Sequence, residues 1–192
     1  MPTLLGIHGT MTRPGRLHQA LKLAVDAASA HDSSVTTGLL HLGDHRISFA
    51  DGRPPEAYGD DTRKVLEQVI AANMYLIATP IYRASFTGVL KNLLDHVPVE
   101  GLMGKPCGLI SMGSTDHHYL TVDTQLRPVL AWFGALLVPG QVYLQSQHFS
   151  DGRLADPKSI AALETLGRAV AELQKSTAGI ADAAGPKPLA AN

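Results

Sequence analysis

A single cysteine, Cys107, among 192 residues removes two whole classes of architecture. There is no internal disulfide to staple a small fold, and no multi-cysteine zinc or iron–sulfur centre can be built. A reducing cytoplasm is the expected compartment. Charge of one sign is missing too: 16 basic and 17 acidic residues leave a formal net charge of -1, so no global field exists to hold nucleic acid or an anionic membrane surface. No apolar run reaches the roughly 18 residues that a membrane span needs, and no basic stretch precedes the apolar residues at the N-terminus as in a secretion signal. Neither nucleic acid, membrane nor export is expected. What the chain does have is apolar residues, 45% of the total, enough to bury a sizeable core as one α/β domain.

Short apolar runs of strand length alternate with stretches of helical spacing, the signature of βαβ units. Strands are expected at Leu4 to His8, Val35 to Leu42, Tyr75 to Thr79, Cys107 to Met112 and within Leu136 to Leu144. Helices are expected at Leu17 to Ala28, around Val65 to Ile70, at Gly88 to Val97, near Thr121 to Phe133 and from about Pro157 to Gln174, with a long polar loop over 43–60. Right-handed crossovers then give a doubly wound, three-layer α/β sandwich over residues 1–175. Residues 176–192, dominated by Ala, Gly, Pro and Ser, read as a disordered tail.

Ligands of such sheets bind beyond the carboxyl ends of the strands, which directs attention to three loops. Loop one, Gly9 to His18, brings Thr10, Thr12 and Arg16 to a helix N-terminus, where free N–H groups favour a phosphate. It has neither the Gly-Lys-Ser/Thr of a nucleotide-binding P-loop nor a dinucleotide glycine fingerprint, so a monoester phosphate fits better than a triphosphate. The bland alternative has Thr10 and Thr12 capping the helix. Loop two, Thr79 to Asp95, carries Pro80, Ile81, the exposed Tyr82, Ser85 and Thr87 ahead of an apolar helix; here Ser85 could be an N-cap and Lys91–Asp95 a surface pair. Loop three, Ser111 to Tyr119, offers Gly113, Ser114 and Thr115, whose small side chains let backbone amides approach a ligand edge. His117 and His118 in that loop have no nearby Cys or Glu to complete a metal set.

The run Thr79-Pro80-Ile81-Tyr82-x-x-Ser85-x-Thr87-Gly88-x-Leu90-Lys91-Asn92-x-Leu94-Asp95, continuing into Leu102-x-Gly104-Lys105-Pro106, resembles the NAD(P)H-dependent FMN reductases of the flavodoxin-like superfamily. The reductases of two-component alkanesulfonate monooxygenase systems are the nearest in look, and the resemblance runs from Leu4 to about Gly152. It implies a five-stranded parallel sheet of order 2-1-3-4-5. It also implies FMN with its phosphate on Thr10, Thr12 and Arg16 and its ring between Pro80, Ile81, Tyr82, Ser85 and Thr87 on one side and Gly113, Ser114 and Thr115 on the other. NADPH or NADH would supply hydride, and no side chain would act as catalytic acid or base. A homodimer or homotetramer, packed through the Leu90–Val97 helix, and a partner monooxygenase are further implications. The two-component reductases usually follow the Asp of the loop-three helix with an aromatic or His, in a helix irregularity, whereas Asp123 here is followed by Thr124. The alternatives are an FMN-retaining reductase of quinones, azo compounds or metal oxyanions, and a flavodoxin-type electron carrier.

Overall fold

The computed structural model describes residues 1–180 together with 185 and 186. Its frame is five parallel strands: β1 (Thr3–His8), β2 (Thr36–His41), β3 (Met74–Pro80), β4 (Pro106–Met112) and β5 (Leu136–Leu144), in the order β2-β1-β3-β4-β5. The helices are α1 (Arg16–His31), α2 (Thr62–Ala71), α3 (Gly88–His96), α4 (Arg127–Trp132) and α5 (Pro157–Thr177). This is the flavodoxin-like sandwich that the resemblance implies.

The strand period of two sorts the core into two layers. Leu5, Ile7, Tyr75, Ile77, Cys107 and Leu109 join α2, α3 and α4 on one face of the sheet. Leu4, Met74, Leu76, Ala78 and Ile110 join α1 and α5 on the other. Both faces are covered, which is why these strands read as continuous apolar runs. Cys107 lies in the first layer, its thiol pushed up to about 12 by burial, and is chemically inert there.

Three elements depart from the expected pattern. The helix near Thr121 to Phe133 is split: Val122–Leu126 winds as a π-turn, with Arg127 N donating to the Val122 carbonyl, before α4 begins. A two-residue hairpin, β6 (Phe149–Ser150) with β7 (Arg153–Leu154), follows β5. And α5 continues to Thr177, so it takes the first two residues assigned to the tail. Of that expected disordered tail, 181–184 and 187–192 lie outside the described residues. No helix among the described residues is long and apolar enough to cross a membrane.

Candidate functional site

Loops one, two and three all emerge at the carboxyl edge of β1, β3 and β4, as the parallel order demands. β1 is flanked by β2 and β3, so the chain reverses direction across the sheet there. That switch point opens a crevice between loops.

Loop one is held from below. Gly9 N donates to the Ala78 carbonyl (2.8 Å), and a Cβ on Gly9 would stand 3.1 Å from the Leu90 side chain and 3.2 Å from the Ala78 oxygen. Thr10 is buried, and its hydroxyl accepts from Thr12 N (3.2 Å) while pairing with the Thr12 hydroxyl (3.1 Å). The two threonines therefore bond each other and do not cap α1. The N-cap is Gly15, with no side-chain hydrogen bond, so the first-turn N–H groups of a 16-residue helix stay open to an anion. Arg16 is exposed, lies 5.6 Å over the Phe149 ring and makes no ion pair among the described residues. A free guanidinium beside uncapped amides suits a phosphate monoester.

Loop two contains a feature that sequence reasoning missed. Tyr82 and Ser85 exchange backbone hydrogen bonds (2.9 and 3.1 Å), and between them Arg83 and Ala84 both take left-handed backbone, φ 52° and 60°. This tight turn carries Tyr82, half of it exposed. Ile81 is buried, and its N–H is taken by the Met112 carbonyl (2.9 Å), which fastens loop two to the start of loop three. Thr87, not Ser85, is the N-cap of α3: its hydroxyl accepts from Leu90 N (3.2 Å) and donates to the Gly9 carbonyl (2.6 Å). Buried and doubly bonded, Thr87 ties loop one to α3 and is poorly placed to offer a ligand its hydroxyl. Pro80 closes β3, and Lys91 pairs with Asp95 on the surface.

Loop three leaves Ser114 and Thr115 exposed and Gly113 half-buried. Tyr143 on β5 donates its hydroxyl to the Thr115 carbonyl (2.5 Å), and a Cβ on Gly113 would fall 2.3 Å from that hydroxyl. The tyrosine props the loop only because residue 113 has no side chain. His117 and His118 fall in a short 3₁₀ turn, and His118 Nδ1 is buried behind Gly113 with no partner among the described residues.

The π-turn after loop three has its own supports. Thr124 donates its hydroxyl to the Leu120 (3.1 Å) and Thr121 (3.3 Å) carbonyls, the first of which also accepts from Thr124 N (3.0 Å). β5 bulges opposite Cys107–Leu109, and Arg127 fills that gap with bonds to the Val138 (3.0 Å) and Pro139 (3.1 Å) carbonyls and to Asp123 (2.9 Å). Gln141 completes the clamp on Asp123 (2.7 Å) and the Tyr119 carbonyl (2.7 Å). The helix irregularity is thus present without the aromatic or His.

A parallel 2-1-3-4-5 sheet with an open anion cradle after β1 and an aromatic turn after β3 defines a flavodoxin-like oxidoreductase scaffold. The NADPH-dependent FMN reductase family model matches residues 2–149, and the chain belongs to that family. It is 38% identical over 156 residues to an NAD(P)H-dependent FAD/FMN reductase of Geobacillus thermodenitrificans, covering 81% of this chain and 84% of that one. It is 28% identical over 158 residues to the NADH-dependent FMN reductase SfnF of Pseudomonas putida, covering 82% and 85%. Among solved structures, an oxidoreductase from Corynebacterium diphtheriae superposes with a TM-score of 0.76 at 20% identity, covering 92% of this chain and 98% of that one.

Proposed function

We propose that this reductase uses FMN as an exchangeable substrate, reducing it with NADPH or NADH and handing the product to a flavin-dependent monooxygenase in a reducing cytoplasm. Hydride transfer from nicotinamide is chemistry that FMN supplies when bound. The chain's part is to bind and orient. The α1 amides and Arg16 would hold the phosphate, with Thr12 at its edge; Pro80, Ile81, Tyr82 and Ser85 would border the ring on one side, and the amides of Gly113, Ser114 and Thr115 on the other. Thr10 and Thr87 shape that crevice by tying loop one together and to α3.

The observation that carries the exchangeable reading is how few groups loop one directs at a phosphate. The Thr10 and Thr12 hydroxyls bond each other and the helix cap has no side chain, so the first turn of α1 itself sets one guanidinium, Arg16, beside its open N–H groups, with Arg13 exposed in the loop before it. A charge-assisted contact contributes about 1.5–3 kcal/mol, so a cradle with one such side chain holds its ligand loosely. Arg16→Ala is expected to weaken FMN roughly tenfold or more while leaving riboflavin unchanged, as read by fluorescence titration. Equal losses for the two ligands would remove the phosphate from loop one.

The same reading has the chain pair with a second copy of itself. Leu90, Leu93, Leu94 and Val97 pack in the chain's own core, and Leu94 and Val97 also line a hollow of about 590 Å³ between α3 and α4. Its other walls include Val129, Trp132, Lys91 and Asp95, with Trp132 52% exposed. A homodimer, or a homotetramer built from it, would cover that surface.

A further inference from the structure

Three histidines converge where β1 and β2 end, directly beneath loop one. His8 and His41, both buried, share a hydrogen bond between their Nδ1 atoms (2.9 Å), so one ring donates and the other accepts. His18, in the first turn of α1, meets His8 edge to face at 5.3 Å, and its Nδ1 is buried with no partner among the described residues. The cluster joins loop one through the backbone, where Thr10 N donates to the His8 carbonyl (3.0 Å). Gly43 lies beside both the His41 ring and the Met11 carbonyl, 2.6 and 3.1 Å from where its Cβ would stand. Among the described residues no group of three or more His, Cys, Asp or Glu is arranged to hold a metal ion.

The ligand-free chain disfavours the charged form of His8 and of His18. Burial, then His41 and His18, push His8 down to about 4 against the pull of Asp44 in the turn after β2. His18 is lowered by burial first and by His41 next, with Asp44 opposing and Lys22, one turn along α1, adding to the depression. The positive end of α1 acts in the same direction on His18. A dianionic phosphate on the open amides of that same first turn reverses the local field, and an opposite charge within about 4–6 Å favours the imidazolium.

We propose that His18 is the proton-accepting member of the FMN phosphate site, so that docking of the dianion draws a proton from solvent onto its imidazole. His8, hydrogen-bonded to His41, packs edge to face against the His18 ring and fixes it. The proposal rests on the phosphate lying in loop one. The proton comes from buffer, one N–H bond forms, and nothing is oxidised or reduced.

The test is calorimetric titration of the full-length protein with FMN at pH 7, in two buffers of different ionisation enthalpy. Wild type is expected to take up about half a proton per FMN, and equivalently to bind FMN about threefold more tightly at pH 7 than at pH 8. Riboflavin, with no phosphate, is expected to take up none. His18→Gln, checked by circular dichroism for its fold, is expected to lose the uptake. Binding of FMN by wild type without proton uptake, or uptake that persists in H18Q, would overturn the proposal. Either result leaves the phosphate placement standing if Arg16→Ala still discriminates FMN from riboflavin. If R16A weakens both ligands equally, the phosphate placement fails and this proposal falls with it.

Discussion

Arg83 and Ala84 hold left-handed backbone without being glycine, at φ 52° and 60°, in the turn that presents Tyr82. Such a residue stores about 1–2 kcal/mol of strain, and strain of this kind collects where geometry serves a ligand. Ala84→Gly is expected to raise stability by roughly 1 kcal/mol, a shift of about 2–4 °C in Tm, measured by thermal melting. His8 gives the pH dependence. Its folded value of about 4 lies below the 6.5 of an unfolded chain, so it contributes stability that is complete above pH 6.5 and is lost as pH falls from 6.5 to about 4. Chemical denaturation is expected to show up to about 3 kcal/mol lost across that window. Asp51 and Asp60, held well below the usual carboxylate range by their Arg53, Tyr58, Ser48 and Thr62 partners, lose theirs only at lower pH. Stability that stays flat from pH 7 to 4.5 would contradict the neutral, buried His8. At this scale the loop motif told where the chemistry-bearing residues sit but not which hydroxyls were already bonded. Thr87 looked like a ligand contact because a cap and a binding residue share one residue type.

Helices and strands were legible wherever one apolar period ran unbroken, as in α1 and the three inner strands β1, β3 and β4. The π-turn was not, because Val122, Leu126 and Leu130 at four-residue spacing read as one helix. What makes the turn is tertiary: Arg127 reaching the bulge of β5 and Gln141 holding Asp123. Arg127→Met is expected to strand the Val138 and Pro139 carbonyls and cost about 2–3 kcal/mol in urea denaturation. An unchanged midpoint would show that the clamp is ornamental to the element. The β6–β7 hairpin, by contrast, could have been found. Asp151-Gly152, both with positive φ, is the turn dipeptide of a two-residue hairpin, and its consequence is to set Phe149 beside Arg16. The histidine cluster left no pattern at all, since His8, His18 and His41 meet only through strand pairing and the α1 crossover.

The sheet as a whole follows from burial on both faces, which forces helices onto each side and brings three loops to one edge. An apolar arc on α3 reads the same whether its own core or a partner covers it, so burial of Leu90 and Leu93 in the core leaves the proposed pairing to be tested. Trp132→Glu is expected to convert the assembly to monomers in light scattering, with the fold retained. A monomeric wild type at micromolar concentration would refute the second copy. The central claim, that FMN visits this site and leaves it, is tested most directly by NADH and NADPH oxidation after gel filtration, with and without added FMN. The account predicts a colourless protein whose turnover depends on added FMN and saturates in the micromolar range. A yellow protein that retains one FMN per chain through the column and reduces a quinone without added flavin would contradict it.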